Sequence, residues 1–209
     1  MNEQKRLWEK LAKENTRFYI ASSFGRGITE KQFTESGEKD YERLLTLDGK
    51  SELVKGTFLE IGCGTGRMTE FIAKDWSKVI AVDISGEMIK QGKKRLKHIH
   101  NIEWHETDGE TIPLPDNSVD FAFSYLVYQH VKTRGMMKRN FREVCRVLKP
   151  GALFLAFLRH KEESMRKWNS GVGYDKLTVP DLLGGFRLLK SDYKDDCYTF
   201  WIWLQKNEK

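Results

Sequence analysis

The sequence has few cysteines and no long apolar run, and each shortage excludes a class of protein. Its three cysteines are odd in number and far apart, so they form neither a disulfide framework nor a Cys-x-x-Cys metal pair. The longest strongly apolar stretch, residues 152–158, is far shorter than the ~20 residues of a membrane-spanning helix. Residues 1–8 are charged and no apolar block follows them, so we expect no secretory signal. Together these absences predict a protein of a reducing compartment, the cytoplasm, with no membrane partner.

Neither sign of charge dominates the chain. Lys and Arg number 36 against 30 Asp and Glu, which gives a formal net charge of +6. This balance permits contact with nucleic acid but does not require it. The composition is 39% hydrophobic and 32% charged, which allows a sizeable core and argues against global disorder. A length of 209 residues predicts one domain, or one domain with a cap.

The chain contains two regions that differ in composition. Residues 1–52 are polar and have no strand-like apolar run. Helical spacing there predicts helices over 3–14 and 37–47, and the aromatic, glycine-rich stretch 18–27 predicts a loop. We therefore predict a helical cap or lid over 1–52, because such a loop suits closure over a ligand, and a second domain over 53–209.

The second region predicts a parallel sheet with helices on both faces. Short apolar runs indicate strands at 57–61, 78–83, 102–105, 119–124, 152–158, 186–189 and 198–204. Amphipathic segments alternate with these runs and include helices at 86–97 and 179–184. Such alternation is typical of a doubly wound α/β sheet, in which ligands bind beyond the carboxyl ends of the strands.

A glycine-rich turn follows the first predicted strand. In Glu60-Ile-Gly-Cys-Gly-Thr-Gly66, glycines at alternate positions let a backbone approach a ligand and present N–H groups to it. The spacing differs from the GxGxxG dinucleotide motif, because Arg67 occupies the sixth position, and the Gly-Lys-Ser/Thr ending of a P-loop is absent. A plain tight turn is the alternative interpretation.

Acidic residues end the next two predicted strands. A carboxylate at Asp83 can accept both ribose hydroxyls of a nucleoside, although an acid also suits a helix N-terminus. Asp108 can accept from an adenine amino group while the Gly109 N–H meets a ring nitrogen, although Asp-Gly is also a common turn pair. Three such features at three consecutive strand ends predict a bound nucleoside more specifically than any one of them.

The motifs resemble those of a known family. The likeness is carried by Glu60–Gly66, Val82-Asp83, Thr107-Asp108-Gly109, Leu114-Pro-Asp-Asn-Ser-Val-Asp-Phe121 and Arg146-Val-Leu-Lys-Pro-Gly151. These segments are similar to the motifs of class I S-adenosylmethionine-dependent methyltransferases, most closely the methyltransferase domain type 11 group. The resemblance covers about residues 56–160 and is looser over 185–204. It implies a Rossmann-like, seven-stranded, mostly parallel doubly wound α/β sheet with an antiparallel closing strand, and S-adenosylmethionine as cofactor.

The resemblance also implies roles for individual residues. Cofactor binding falls to Glu60, Gly62, Cys63, Gly64 and Gly66 for the methionine moiety, Asp83 for the ribose, Ile84, Met88, Asp108 and Gly109 for the adenine, and Ser124 and Tyr125 beside the sulfonium. Arg67 departs from the pattern and is expected in solvent, with the methionine carboxylate as its alternative partner. No metal-ligand spacing is recognisable, so no metal is expected.

A few residues are candidates for the acceptor side of the site. Methyl transfer mainly requires alignment of the acceptor and exclusion of water, and a general base only when the acceptor must lose a proton. His130 is the candidate base, with a hydrogen-bonded framework role as the alternative. Tyr128 and Tyr19 are candidates for catalysis as pocket residues, with packing as the alternative. Arg159 and His160 suit an anionic substrate, although ordinary surface charge is the simpler expectation.

The sequence therefore predicts an enzyme that methylates a small molecule, at an acceptor atom and in an oligomeric state that it does not specify. Two alternatives stay open: an RNA- or protein-directed methyltransferase, and a cofactor-binding module without catalysis. The first draws on basic helical segments that carry Lys90, Lys93, Lys94, Arg95 and Lys97, and Lys138, Arg139, Arg142 and Arg146. Such runs are usually solvated faces. The Asn/Asp-Pro-Pro-Tyr pattern of amino-directed nucleic-acid methylators is also missing, so nucleic acid is possible but not favoured.

Overall fold

The computed structural model describes residues 3–47, 56–160, 171–194 and 198–208. Five helices are present in these ranges: α1 (Glu3–Ile20), α2 (Glu30–Leu47), α3 (Thr69–Asp75), α4 (Gly86–Arg95) and α5 (Arg134–Val147). Seven strands accompany them: β1 (Thr57–Ile61), β2 (Lys78–Asp83), β3 (Ile102–Glu106), β4 (Val119–Ser124), β5 (Leu148–Arg159), β6 (Phe186–Ser191) and β7 (Thr199–Lys206). Short 3₁₀ turns lie at Ser22–Phe24, Tyr128–His130 and Val179–Leu182.

The strands form one sheet in the order β3-β2-β1-β4-β5-β7-β6. The β1–β2, β2–β3 and β4–β5 pairs are parallel, whereas β7 runs antiparallel to both β5 and β6. The predicted seven-stranded, mostly parallel α/β sheet with an antiparallel closing strand is therefore confirmed. β1 is buried along four of its five residues, as expected for a parallel strand covered on both faces.

The chain divides into two compact units, Met1–Asp108 and Gly109–Lys209. The first unit contains α1, α2 and β1–β3, so the N-terminal helices belong with the strands that carry the glycine loop. The predicted boundary near residue 52 is not where these units divide. In the second unit, Phe141 of α5 packs against Phe154 of β5 with ring centroids 5.2 Å apart.

The two N-terminal helices extend beyond their predicted ranges because polar side chains cap them. α1 continues beyond residue 14 to Ile20, into the predicted loop, although Asn15 has an extended backbone (φ −161°, ψ 81°). The Asn15 side chain accepts a hydrogen bond from the Phe18 N–H at 3.2 Å and so starts the helix again. α2 begins at Glu30 instead of residue 37, because Thr29 and Gln32 form a reciprocal capping box.

Candidate cofactor site

The glycine loop joins β1 to the segment that leads into α3. The N–H groups of Gly62 and Cys63 donate to the Val82 carbonyl at 2.8 and 3.1 Å, which joins the start of the loop to β2. Gly62, Gly64 and Gly66 have φ angles of +72°, +55° and +81°, a region that favours glycine. The loop therefore has a backbone that other residue types adopt only with strain.

Asp83, at the end of β2, holds the middle of this loop. Its two carboxylate oxygens accept one hydrogen bond each, from the N–H of Gly64 and from the N–H of Ser85, both at 2.9 Å. Burial raises the pKa of Asp83 to about 6, although the N–H donors oppose that shift. A carboxylate has about four lone-pair positions, so both oxygens keep capacity for further donors.

Glu60, in β1, is a buried carboxyl group behind the loop. It is 5% exposed and accepts a hydrogen bond from the Thr69 hydroxyl at 2.5 Å. Burial raises its pKa to about 7, while the Thr69 hydrogen bond and the positive charge of Arg67 act in the opposite direction. A neighbouring cation would favour the ionised form. The thiol of Cys63 is also buried, and burial raises its pKa.

The residues predicted to flank the adenine lie around the start of α4 and after β3. Met88 is 2% exposed, and its N–H donates to the Ser85 hydroxyl that caps α4, so the predicted cap is present. Ile84 is half-buried beside Asp83, and Asp108 is exposed. Gly109, the first residue of the second unit, has a φ of +84°.

The carboxyl end of β4 carries an aromatic group. Ser124 is fully buried, and the half-buried ring of Tyr125 stacks on Trp201 at 5.3 Å and meets Phe157 edge-on at 5.2 Å. The next residue, Leu126, has a φ of +59°, which is uncommon for a leucine and is a form of strain found at functional sites. No sequence pattern indicated that conformation.

The candidate catalytic residues have different surroundings. Tyr128 is 1% exposed, and its hydroxyl donates to the Asn140 amide oxygen at 2.6 Å, which favours the packing alternative over a pocket role. His130 is half-buried in the adjoining 3₁₀ turn, with its Nε2 3.1 Å from the Gln129 Nε2. Tyr19 lies on α1, and its hydroxyl donates to Glu14 at 3.0 Å. The catalytic assignments of His130, Tyr128 and Tyr19 all remain predictions.

Three basic residues expected at the surface are buried, so those expectations were wrong. Arg67 is 6% exposed because it forms an ion pair with Asp40 at 2.6 Å. Arg159 is 8% exposed because it lies within the buried end of β5. His160 is 4% exposed, and its N–H donates to the Tyr198 carbonyl at 2.9 Å. The His160 ring also hydrogen-bonds the Tyr193 hydroxyl at 2.5 Å.

Arginines of the two basic helices have intramolecular partners. Arg95 donates to Glu30 and Glu70 at 2.8 and 2.6 Å. Arg139 donates a bidentate pair of hydrogen bonds to the Glu110 carboxylate at 2.6 and 2.7 Å. Arg146 likewise contacts Glu143 and Asp116. These side chains are already occupied, which weakens the argument for a nucleic-acid surface.

The described ranges lack both a membrane-spanning helix and a metal-binding cluster. Among them, no helix combines the length and the apolar character needed to cross a bilayer. Nor does the described part of the chain bring together three His, Cys, Asp or Glu side chains in a way that could hold a metal ion.

Comparison with known proteins agrees with this geometry. A family model described as a methyltransferase domain matches residues 59–156. Malonyl-[acyl-carrier protein] O-methyltransferase of Xylella fastidiosa is 33% identical over 145 residues, which are 68% of this chain and 48% of that protein. The ubiquinone/menaquinone biosynthesis C-methyltransferase UbiE of Enterobacter sp. is 30% identical over 105 residues, 47% of this chain and 41% of that protein. The chain thus spans less than half the length of these curated relatives.

Solved structures show the same fold. One is the N-methyltransferase NodS of Bradyrhizobium japonicum WM9, in complex with S-adenosylhomocysteine, with a TM-score of 0.73 and 16% sequence identity. The match covers 98% of this chain and 99% of NodS. A SAM-dependent methyltransferase of Aquifex aeolicus has a TM-score of 0.64 at 24% identity, with 83% of this chain and 98% of that one covered.

Proposed function

We infer that the chain is a class I S-adenosylmethionine-dependent methyltransferase, since a methyltransferase-domain model matches residues 59–156, and that it transfers a methyl group from this cofactor to a small-molecule acceptor. The observation that carries the proposal is the hydrogen bond between the Gly64 N–H and Asp83. This contact joins the glycine loop to an acidic strand end and places the Asp83 carboxylate beside the loop, where it can also accept hydrogen bonds from a ligand.

The polar groups of the first unit suit the cofactor. Glu60 offers a buried carboxylate to the ammonium of the methionine moiety, and this pairing would relieve the cost of burying its charge. The spare acceptor positions of Asp83 suit the two ribose hydroxyls. We assign Ile84, Met88, Asp108 and Gly109 to the adenine, and Ser124 and Tyr125 to the neighbourhood of the sulfonium. When bound, the cofactor supplies a methyl group on a sulfonium that already carries its leaving group.

The N-terminal helix would cover the bound cofactor. Ile20 lies against the glycine loop, since a Cβ on Gly64 would be 2.8 Å from its Cδ1. Glu9 accepts a hydrogen bond from the Gly86 N–H at 2.6 Å, and Lys5 forms an ion pair with Glu106. The break at Asn15 lies between the contacts of Lys5 and Glu9 and that of Ile20. Because these contacts place both halves of α1 beside the predicted cofactor site, we assign α1 to the lid predicted for residues 1–52.

The lid can be tested without deleting it. The Lys5→Ala/Glu9→Ala double variant removes two contacts of the first half of α1, and we expect faster dissociation of S-adenosylhomocysteine in stopped-flow measurements. A dissociation rate of S-adenosylhomocysteine equal to that of the unaltered protein would contradict the lid.

Observations at the end of β4 bear on the acceptor. The half-buried rings of Tyr125 and Phe157, which pack with the buried Trp201, favour an acceptor with a flat, apolar part. Among the relatives, the quinone C-methyltransferases are named for acceptors of that kind, so quinone precursors are the first compounds to assay. The malonyl-[acyl-carrier protein] of the other relatives is the second. If the acceptor must lose a proton, His130 is the candidate base.

The decisive experiment follows radiolabelled methyl from S-adenosylmethionine into a cell extract that is then separated into small molecules, RNA and protein. Label in the small-molecule fraction that disappears with Asp83→Ala supports the proposal. Label in RNA, or in a protein other than an acyl-carrier protein, supports the alternative instead, and binding of S-adenosylhomocysteine with no label in any fraction supports the silent module. A cytoplasmic location stays a prediction from the sequence.

A further inference from the structure

α2 lies directly against the residue that follows the glycine loop. A Cβ built on Gly37 would be 2.0 Å from the carbonyl oxygen of Arg67 and 2.8 Å from its carbonyl carbon. No side chain fits in that space without moving one backbone away from the other. The helix that precedes β1 in the chain is therefore in close contact with the end of the loop.

Two arginines connect α2 to the loop at this point of contact. Arg67 is buried and contacts Asp40 at 2.6 Å and the Ser36 hydroxyl at 3.2 Å, both on α2. Arg95, from α4, donates to Glu30 and Thr34 of α2 and also to the Gly66 carbonyl at 3.1 Å. Together these contacts fix the last glycine of the loop and the residue after it from the side of α2.

Arg67 also acts on the carboxylate behind the loop. Its positive charge lowers the pKa of Glu60, in opposition to burial and to the negative charge of Asp83. The other groups that face Glu60 are the Thr69 hydroxyl of α3, which donates to it, and the buried Cys63 thiol. The partner of Arg67 is the carboxylate of Asp40, so α2 partly neutralises the cation that lowers the pKa of Glu60.

We propose that Asp40 and Arg67 are positioning residues through which α2 holds the glycine loop and sets the charge beside Glu60, and thereby the affinity for S-adenosylmethionine. The inference rests on the proposed role of Glu60 in cofactor binding. It assigns to the N-terminal region a part in the cofactor site itself, in addition to any role as a lid.

The test is calorimetric titration of the full chain with S-adenosylhomocysteine between pH 5.5 and pH 9. With Arg67→Met, Glu60 loses a stabilising charge, so we expect weaker binding at pH 7 and a midpoint of the pH profile at higher pH. The expected loss at pH 7 is about tenfold for each unit by which the midpoint moves. With Asp40→Asn, the charge of Arg67 is no longer neutralised, so the midpoint should move to lower pH.

Conservative and control variants separate positioning from general damage. Arg67→Lys keeps the charge and should keep the midpoint, whereas Glu35→Gln, which removes an exposed carboxylate from the same helix, should change nothing. If Arg67→Met does not fold, the uncharged pair Asp40→Asn/Arg67→Met replaces it and should show the same upward midpoint.

The outcomes also distinguish this inference from the assignment of Glu60. If Glu60→Gln loses the step near pH 7, and Arg67→Met and Asp40→Asn shift that step in opposite directions, both the inference and the role of Glu60 are supported. If Glu60→Gln loses the step but Arg67→Met and Asp40→Asn leave its midpoint unmoved, or weaken binding equally at every pH, the inference alone is overturned. An unchanged Glu60→Gln profile overturns the proposed role of Glu60.

Discussion

The carboxylate of Asp83 accepts a hydrogen bond from the backbone N–H of Gly64 at 2.9 Å, so the end of β2 holds the centre of the loop that follows β1. Asp83 is the last residue of β2, whereas Gly64 lies 19 residues earlier in the chain, in the loop after β1. Because of this contact, the carboxylate of Asp83 holds the loop in place in addition to any hydrogen bonds that it accepts from a ligand. Substitution of Asp83 should therefore reduce both stability and cofactor binding.

Asp83→Ala removes the acceptor for two backbone donors, those of Gly64 and Ser85. We expect unfolding to become easier by about 1–3 kcal/mol and the affinity for S-adenosylhomocysteine to fall at least tenfold. Urea denaturation and calorimetry measure the two effects. Asp116→Ala, at an exposed acid of the second unit, is the control and should keep the affinity. Wild-type affinity in Asp83→Ala would exclude Asp83 from the cofactor site.

The ligand-free protein should lose stability as the pH rises from about 4.5 to about 7. The pKa of Glu60 is raised to about 7 in the folded protein, so the folded state holds this proton where the unfolded state has released it. The effect amounts to about 1.4 kcal/mol for each unit of difference in pKa. Denaturation midpoints across this range measure it, and Glu60→Gln should reduce the slope. An equal slope in that variant would contradict the assigned pKa.

Gly37→Ala should destabilise the protein, even though alanine stabilises a helix interior by about 1 kcal/mol relative to glycine. The added methyl group would meet the Arg67 carbonyl, and overpacking of this kind costs about 1–3 kcal/mol. The melting temperature and the affinity for S-adenosylhomocysteine should both decrease. Gly27→Ala is the matched control, since a Cβ at that position meets nothing within 4 Å. Equal melting temperatures for the two variants would refute the close contact between α2 and the loop.

Tyr128→Phe separates packing from catalysis. The variant leaves the Asn140 amide oxygen without its buried donor, which should cost about 1–3 kcal/mol of stability. Below the melting temperature, methyl transfer should change less than about twofold, because a packing residue does not touch the reacting atoms. A general base contributes about 100-fold to 10,000-fold, so a loss of that size in Tyr128→Phe would restore its catalytic role.

The features that were predictable from the sequence are those with a local cause. The strands follow from short apolar runs, and the glycine loop from residues that alone adopt its positive φ angles without strain. The predicted cap of α4 is also local, since Ser85 and Met88 lie three residues apart. The capping box of Thr29 and Gln32 is equally local, but hydrophobic spacing alone does not reveal it and placed the start of α2 too late.

The burial of the charged residues was not predictable, because it depends on partners that are distant in the chain. Arg67 reads as a solvated residue of a helix start, yet the tertiary structure pairs it with Asp40. Arg95 belongs to a basic segment by sequence, yet it joins α2, α3 and the loop. By itself, the sequence determined the order of the elements and the ligand-facing strand ends, since short-range sterics and hydrophobic periodicity act within a few residues. Only the tertiary structure decided which charges were neutralised and which helix supports the loop, since long-range packing selects those partners.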